Sequence, residues 1–539
     1  MRADAFTRDQ QAWLYAMLER IPASLRNVAE RIHQDMVIGD KVREANIWLR
    51  ETVDDMKPAP IIENIAIDAY GDEMAAAAEL LADEYMDLTR ARVNTNQKLI
   101  ERAEREAGKQ IPGDSTTSKV KRITDKKFWK GQIRKSLRLH RELWHLRLAP
   151  TRLKYCSTDA THEYQHMLAQ NAEWAKAHTF VSDSGETFPA PTPTETQKKR
   201  YCQLVAQTKG IENIANERGM VAMIVTITLD TQYHATLTIN PDTPQQRRIR
   251  NKNYDPALTP RVGHDWLNRK WRNLRSALGR ATKKRNKIEF ENVVGVHPNG
   301  DETIHWHVVF WCYPDDVPEV EKLFDKYFRT NDNPRQIYFE KADSAHGASS
   351  YAMRMLAYVT RQVKNKKTEN TEKKNRKNKK DDEKEALNAS ALASTMGIRR
   401  YHTSQTKTTM WILSRKEEIS LPDEMKYSAV AGDYAGFFNA AERYKAKLKY
   451  TPKIGSYGDE YQKPTGIEFT DDCGNFQVSE CTKTWTIEQA KIAKTDSYCK
   501  EPSNVEPDAA DEYFSDENKH VIESNAPPPR FWNGEWFPF

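Results

Sequence analysis

His297-Pro298-Asn299-Gly300-Asp301-Glu302-Thr303-Ile304-His305-Trp306-His307-Val308-Val309-Phe310-Trp311 is the stretch on which the reading of this chain turns. Asn299-Gly300 is a pair of residue types that accepts the left-handed backbone of a tight hairpin turn. β-Branched and aromatic residues on either side predict strands over 288–296 and 303–311, with Pro298 to Glu302 as the turn. On a strand, alternate side chains share a face, so His305 and His307 point one way while Trp306, Val308 and Phe310 pack the other way. Two imidazoles one residue apart can chelate a divalent ion. An HxH pair by itself also occurs in ordinary packed strands. His297 lies across the turn, where it reads either as a third ligand or as a turn residue before Pro298. Glu291 is a second candidate on that strand, farther from the turn.

Outward from the hairpin, Val221 to Leu229 alternates Val225, Ile227 and Leu229 against Thr226 and Thr228, a further strand. His264 to Arg280 predicts a helix whose buried stripe is Leu267, Trp271, Leu274 and Leu278. Its other faces carry Arg269, Lys270, Arg272 and Arg275, and Lys283, Lys284 and Arg285 extend the charge. These cations suit a DNA backbone, with Trp266 available for stacking on a base. Helices over 319–328 and 348–363 flank a short strand over 337–340. Strands and helices alternating around an antiparallel hairpin give an α+β fold.

The helix over 348–363 places Tyr351 and Tyr358, seven residues apart, on nearly the same face, with Gln362 four residues beyond Tyr358. A phenol can attack phosphorus, but deprotonating it near neutral pH costs roughly 4 kcal/mol. A metal ion on the scissile phosphate offsets that cost, so the two signals belong together chemically. Two tyrosines on a helix face are also common in a plain core.

Organisation along the 539 residues follows from periodicity and charge. Residues 1–150 read as a helical N-terminal region, including a basic amphipathic helix over 128–148 that suits either DNA contact or packing. Residues 151–218 read as a helical linker region with a proline-rich link at Phe188 to Pro193, and 219–363 as the central domain. The charged run 364–385 reads as a disordered insertion, 386–450 as the C-terminal part of the core, and 451–539 as a mostly disordered acidic tail. Residues 501–539 carry nine acidic and two basic side chains, net −7; the whole chain is +6, which leaves +13 on the rest. A basic body suits a polyanionic partner. Mean hydropathy is −0.82, and no apolar run is long enough for a bilayer. The polar start, Met1 to Gln11, is unlike a secretory signal. Cysteines 156, 202, 312, 473, 481 and 499 are scattered without a CxxC pair, which suits a reducing cytoplasm.

Four ordered blocks together resemble the bacteriophage replication gene A protein family, rolling-circle initiators of the HUH endonuclease superfamily. They are Val225 to His234, a Thr-Leu-Thr-like strand followed by Tyr-His; His297 to Phe310; Gly347 to Val363; and Ala393 to Tyr401 followed by Trp411. The resemblance spans most of residues 1–450. It implies a central antiparallel-sheet HUH nuclease domain with Mg2+ or Mn2+ on His305, His307 and His297. It also implies Tyr358, either alone or with Tyr351 as a second tyrosine, forming a 5′-phosphotyrosine link, then religation. Single-stranded DNA at a replication origin and a host helicase are the implied partners. The latter accords with the lack of a GxxxxGK[ST] phosphate loop in the sequence. Two departures stand out. The family has two tyrosines separated by three residues with a lysine before the second; here Arg354 and Ala357 occupy the first-tyrosine and lysine positions. Gln362 stands where the family often has Asn, a possible metal or phosphate contact. Wider relatives often use Glu or Asp where His297 stands. A relaxase or transposase of the same superfamily, or a DNA-binding protein with a decayed site, are the alternative classes.

Overall fold

A computed structural model describes residues 8–39, 41–91, 95–240, 243–280, 286–330, 336–341, 351–352, 372–404, 412, 419–481 and 483–489. The described residues divide into two compact units. One draws on Met1–Gln165, Met220–His402 and Pro452–Tyr461; the other draws on His166–Gly219, Thr403–Thr451 and Gln462–Phe539.

The first unit begins with seven helices: α1 (Arg8–Glu19), α2 (Ala23–Ile38), α3 (Val42–Asp55), α4 (Gly71–Ala91), α5 (Asn96–Ala107), α6 (Thr116–Ile123) and α7 (Lys126–Leu148). Local chemistry fixes several of their ends. Thr95 and Ser115 accept the orphan N–H groups of Lys98 and Ser118, and Gly108 closes α5 in the left-handed conformation. Trp129 on α7 is fully buried and stacks on Tyr85 of α4 at 5.4 Å. The cations of α7 resolve its two sequence readings in part. Arg141 is buried, donates to the carbonyls of Ile67 (2.7 Å) and Ala69 (2.6 Å), and lies 3.5 Å from Glu163, while Arg138 pairs with Glu163 at 2.7 Å. Those two arginines serve packing.

Helix α8 (Thr158–Lys176) follows, then the strands β1 (His178–Ser182) and β2 (Thr187–Pro189) and helix α9 (Pro193–Glu217). The stretch expected to be a helical linker therefore contains a β-hairpin, because Phe180 and Phe188 face each other across the pair and stack at 5.0 Å.

Next come β3 (Val221–Ile227), β4 (Thr236–Ile239), β5 (Arg247–Arg250), α10 (Pro260–Leu278), β6 (Phe290–Pro298), β7 (Ile304–Cys312), α11 (Val317–Phe328), β8 (Ile337–Lys341), α12 (Glu372–Met396) and β9 (Tyr401–Thr403). Five of these strands form one sheet in the order β8-β3-β7-β6-β9. Neighbours β3, β6, β7 and β8 pair antiparallel, so the fold is α+β with an antiparallel central sheet. One face of this sheet is apolar. Trp306, Val308 and Phe310 of β7 join Val294 and Val296 of β6 and Val225 and Ile227 of β3. Against them pack Leu267, Trp271, Leu274 and Leu278 of α10, Val320, Phe324 and Phe328 of α11, and Leu392 and Met396 of α12. The stripe read from the sequence of α10 is the buried one. Burying side chains of this size contributes about 1.5–3 kcal/mol each, which holds the hairpin's register against a one-residue slip.

The charged run differs from its disordered expectation from Glu372 onward, where α12 begins. Lys and Glu are good helix formers, and the helix continues into the apolar residues Ala386 to Met396 that anchor it on the sheet.

The second unit contains α9, α13 (Asp423–Ala431), α14 (Tyr434–Arg443) and most of two three-stranded sheets. β10 (Lys447–Ile454), β11 (Glu460–Thr470) and β12 (Phe476–Glu480) make one, and β13 (Trp485–Gln489) pairs antiparallel with β1 in the other. Gly210 of α9 lies so close to Tyr434 that a Cβ there would stand 2.3 Å from the ring. The region expected to be a disordered tail is therefore strand-forming as far as Gln489, and 490–539 lie outside the described residues. Among the described residues, no helix is long and apolar enough to cross a membrane.

Candidate metal and nuclease site

The β6–β7 register sets the site. His297 stands opposite His305, Gly295 opposite His307 and Val296 opposite Trp306. On the other flank Thr226 of β3 stands opposite His307. Because Trp306 is drawn to the core, both neighbouring histidines turn to the opposite face, where Gly295 brings no side chain against His307. Ring centroids are 4.8 Å apart for His305–His307, 5.1 Å for His297–His307 and 5.9 Å for His297–His305. The three imidazoles that the sequence singled out thus converge. Glu291 stands opposite Trp311 near the far end of the hairpin and is not among them.

The Nε2 atoms of His305 and His307 are 3.0 Å apart. Two adjacent nitrogens on an octahedral ion with bonds of about 2.1 Å would be separated by roughly 3.0 Å. Among the described residues no group of three or more His, Cys, Asp or Glu side chains is placed to hold a metal ion. Two donors nonetheless fit an ion: the His305 and His307 nitrogens have the right spacing, and the His297 ring stands beside them.

Electrostatics keeps these rings neutral. Burial pushes His305 down to about 3, with His307 and His234 adding to the effect and Asp301 opposing it. Burial likewise lowers His307, and it lowers His297 well below the usual range, helped by His305, His307 and Arg400. A neutral imidazole offers a lone pair, which a cation needs.

The turn is braced from outside the hairpin. Asp301 accepts from the Thr303 hydroxyl (2.7 Å) and the Thr236 amide (3.1 Å) and stands 3.4 Å from His234 Nδ1. Burial would raise the Asp301 carboxyl, but these partners hold it below its ordinary value. Asn251 in turn donates to the carbonyls of Thr231 (2.9 Å) and His234 (2.8 Å), fixing the Tyr-His loop. Beside Asp301, Glu302 is fully buried with φ +70° and faces Glu142 of α7. Under the sheet, His402 and His264 approach Trp306 edge-on at 5.2 and 6.0 Å. Burial pushes them down to about 3 and about 4.

Tyr351 reaches the histidine face. Its hydroxyl is 2.8 Å from His307 Nδ1, and Thr226 Oγ1 is 3.2 Å from the same nitrogen. Tyr358 and Gln362 lie outside the described residues. On α10, Arg269, Arg272 and Arg275 are exposed, and Lys270 holds its Nζ 5.2 Å above the Trp266 ring. Lys283, Lys284 and Arg285 lie outside the described residues. Sequence reading missed Thr226, Asp301 and Asn251. Only Thr226 had a usable signal: strand alternation turns it away from Val225 and Ile227.

The fold and this face define an α+β protein with clustered neutral imidazoles and a phenol on one side of an antiparallel sheet. Comparison with known sequences adds its lineage: the profile of the bacteriophage replication gene A protein family matches residues 59–401, so the chain belongs to that family. It is 25% identical over 258 residues to the "Replication gene A protein" of Escherichia phage 186, covering 46% of this chain and 34% of that one. The "Probable replication protein P12" of Pseudoalteromonas phage PM2 is 22% identical, with 68% and 59% covered. A "Probable replication endonuclease from prophage-like region" of Salmonella paratyphi A is 24% identical, with 32% and 20% covered. The chain spans between about a third and three fifths of the length of the first curated relatives it matches. No solved structure matches it.

Proposed function

We propose that this protein initiates phage DNA replication by nicking one strand at the origin, as a metal-dependent HUH endonuclease that stays joined to the DNA through tyrosine. The observation that carries the reading is the 3.0 Å spacing of the His305 and His307 Nε2 atoms, with the His297 ring beside them and a phenol on the same face. Family membership and the printed name of the Salmonella relative support the endonuclease class.

In this reading His305, His307 and His297 hold Mg2+ or Mn2+. When bound, the ion supplies charge stabilisation at the scissile phosphate. The Tyr358 oxygen attacks phosphorus, the bond from phosphorus to the 3′ oxygen breaks, and that oxygen takes a proton from solvent to become a free 3′-hydroxyl. The phenolic proton passes to solvent. The 5′-phosphotyrosine bond conserves the phosphodiester energy, so a later 3′-hydroxyl can reverse the step and reseal the strand. Arg269, Lys270, Arg272 and Arg275 run along the DNA backbone. A host helicase supplies the exposed single strand.

The test is incubation of the full chain with a library of single-stranded oligonucleotides and Mn2+, followed by mass spectrometry of tyrosine peptides. A nucleotide adduct on the peptide holding Tyr358, lost in Tyr358→Phe, is the expected result. Wild-type protein that forms no covalent adduct while binding DNA would instead make this a non-catalytic DNA-binding protein.

A further inference from the structure

We propose that Tyr351 is a positioning residue for His307 and not the attacking phenol; the proposal rests on the metal-site reading above. A neutral imidazole has one N–H and one lone pair, so its two nitrogens have opposite roles. In His307, Nε2 points at His305 Nε2 (3.0 Å), the spacing of two metal ligands. Its Nδ1 points instead at two oxygens, Tyr351 (2.8 Å) and Thr226 (3.2 Å). If Nε2 gives its lone pair to an ion, Nδ1 carries the hydrogen and must donate it. The Tyr351 oxygen is then the principal acceptor and Thr226 the lesser one.

That assignment sets what the phenol does. Its oxygen lone pair is engaged by the His307 N–H, on the edge of the ring facing away from the metal-binding nitrogen. An attacking oxygen would instead belong at the Nε2 edge, where a phosphate would meet the ion. Tyr351 and Thr226 instead fix the tautomer and the rotation of the ring from two different elements, one across the strand pair and one on the segment at 351–352. Partners of this kind raise the basicity of a ligating imidazole, and losing one typically costs 10–100-fold in metal affinity.

Three measurements on the full chain test the proposal. Tyr351→Phe keeps the ring and deletes the oxygen. Its Mn2+ dissociation constant, read by electron paramagnetic resonance, is expected to rise about tenfold or more. Thr226→Val should raise it less, and the double variant more than either. At saturating Mn2+, Tyr351→Phe should recover the covalent adduct, and in wild type the adduct should map away from Tyr351. Imidazole 15N spectra of the wild type with Mg2+ should show His307 protonated at Nδ1, a readout that needs no variant to fold. An adduct mapped to Tyr351, an Nε2-protonated His307, or unchanged Mn2+ affinity in Tyr351→Phe would each overturn the proposal. If wild type neither binds Mn2+ nor forms an adduct, the nuclease reading has failed instead.

Discussion

Glu302 offers the sharpest test of how the hairpin turn is held. Its carboxyl is wholly buried, neither oxygen is hydrogen-bonded among the described residues, and the Glu142 carboxyl faces it. The Glu142 carboxylate already accepts from the Ser157 amide (3.1 Å) and hydroxyl. Two carboxylates can bond only if one carries a proton, and burial followed by the Glu142 charge raises Glu302 well above its ordinary 4.5. Folding therefore takes up a proton that the unfolded chain gives away above pH 4.5. The stability this group confers is complete below that pH and is lost as pH rises toward the folded value. While the folded chain keeps the proton, the loss is on the order of 1 kcal/mol per pH unit. Glu302→Gln carries a fixed N–H donor of the same shape, so it can bond Glu142 without that proton. Urea unfolding of both proteins at pH 5, 6 and 7, followed by tryptophan fluorescence, should give stability curves that diverge, with the variant gaining on wild type at each step. Parallel curves would mean that Glu302 is ionised in the fold and that the shared proton does not exist.

Other consequences are as direct. His305→Ala should abolish Mn2+ binding and oligonucleotide cleavage while leaving the far-ultraviolet circular dichroism unchanged, since Trp306 and Val308 still anchor β7. Replacing Arg269, Arg272 and Arg275 together by Ala should flatten the dependence of single-stranded DNA affinity on salt by about 2 in log–log slope, measured by fluorescence anisotropy, if each meets one phosphate. In Gly263→Ala the new Cβ would stand 2.4 Å from Leu229 Cδ1, where α10 crosses the end of β3. A loss of about 1–3 kcal/mol in urea titration is expected. Leu274→Ala, at a fully buried position of the α10 stripe, should cost about 2–5 kcal/mol in the same assay.

Much of the site was legible because strand alternation is a local rule. Once Trp306, Val308 and Phe310 are assigned to the core, His305 and His307 have one face left; His297 comes opposite His305 through a turn over 299–303 in which Glu302, not Asn299 or Gly300, takes the left-handed conformation. The same logic found the buried stripe of α10. It failed where exposed strands are held by partners distant in sequence. β13 reads as polar tail, and its order comes from pairing with β1, some three hundred residues earlier. In α7 it left Arg138 and Arg141 open between DNA and packing, because nothing in the helix reveals Glu163 or the carbonyls of Ile67 and Ala69.

Periodicity and residue type alone thus determined which side chains turn inward, that His305 and His307 share a face, and where the cations of α10 lie, since each depends only on near neighbours along the chain. Tertiary structure decided what those groups meet: a phenol and a threonine hydroxyl on one imidazole nitrogen, a histidine and two threonines on the turn aspartate, a second carboxyl on Glu302. Hydrogen bonds and shared protons act over about 3 Å, and only the folded chain brings residues so far apart in sequence within that range.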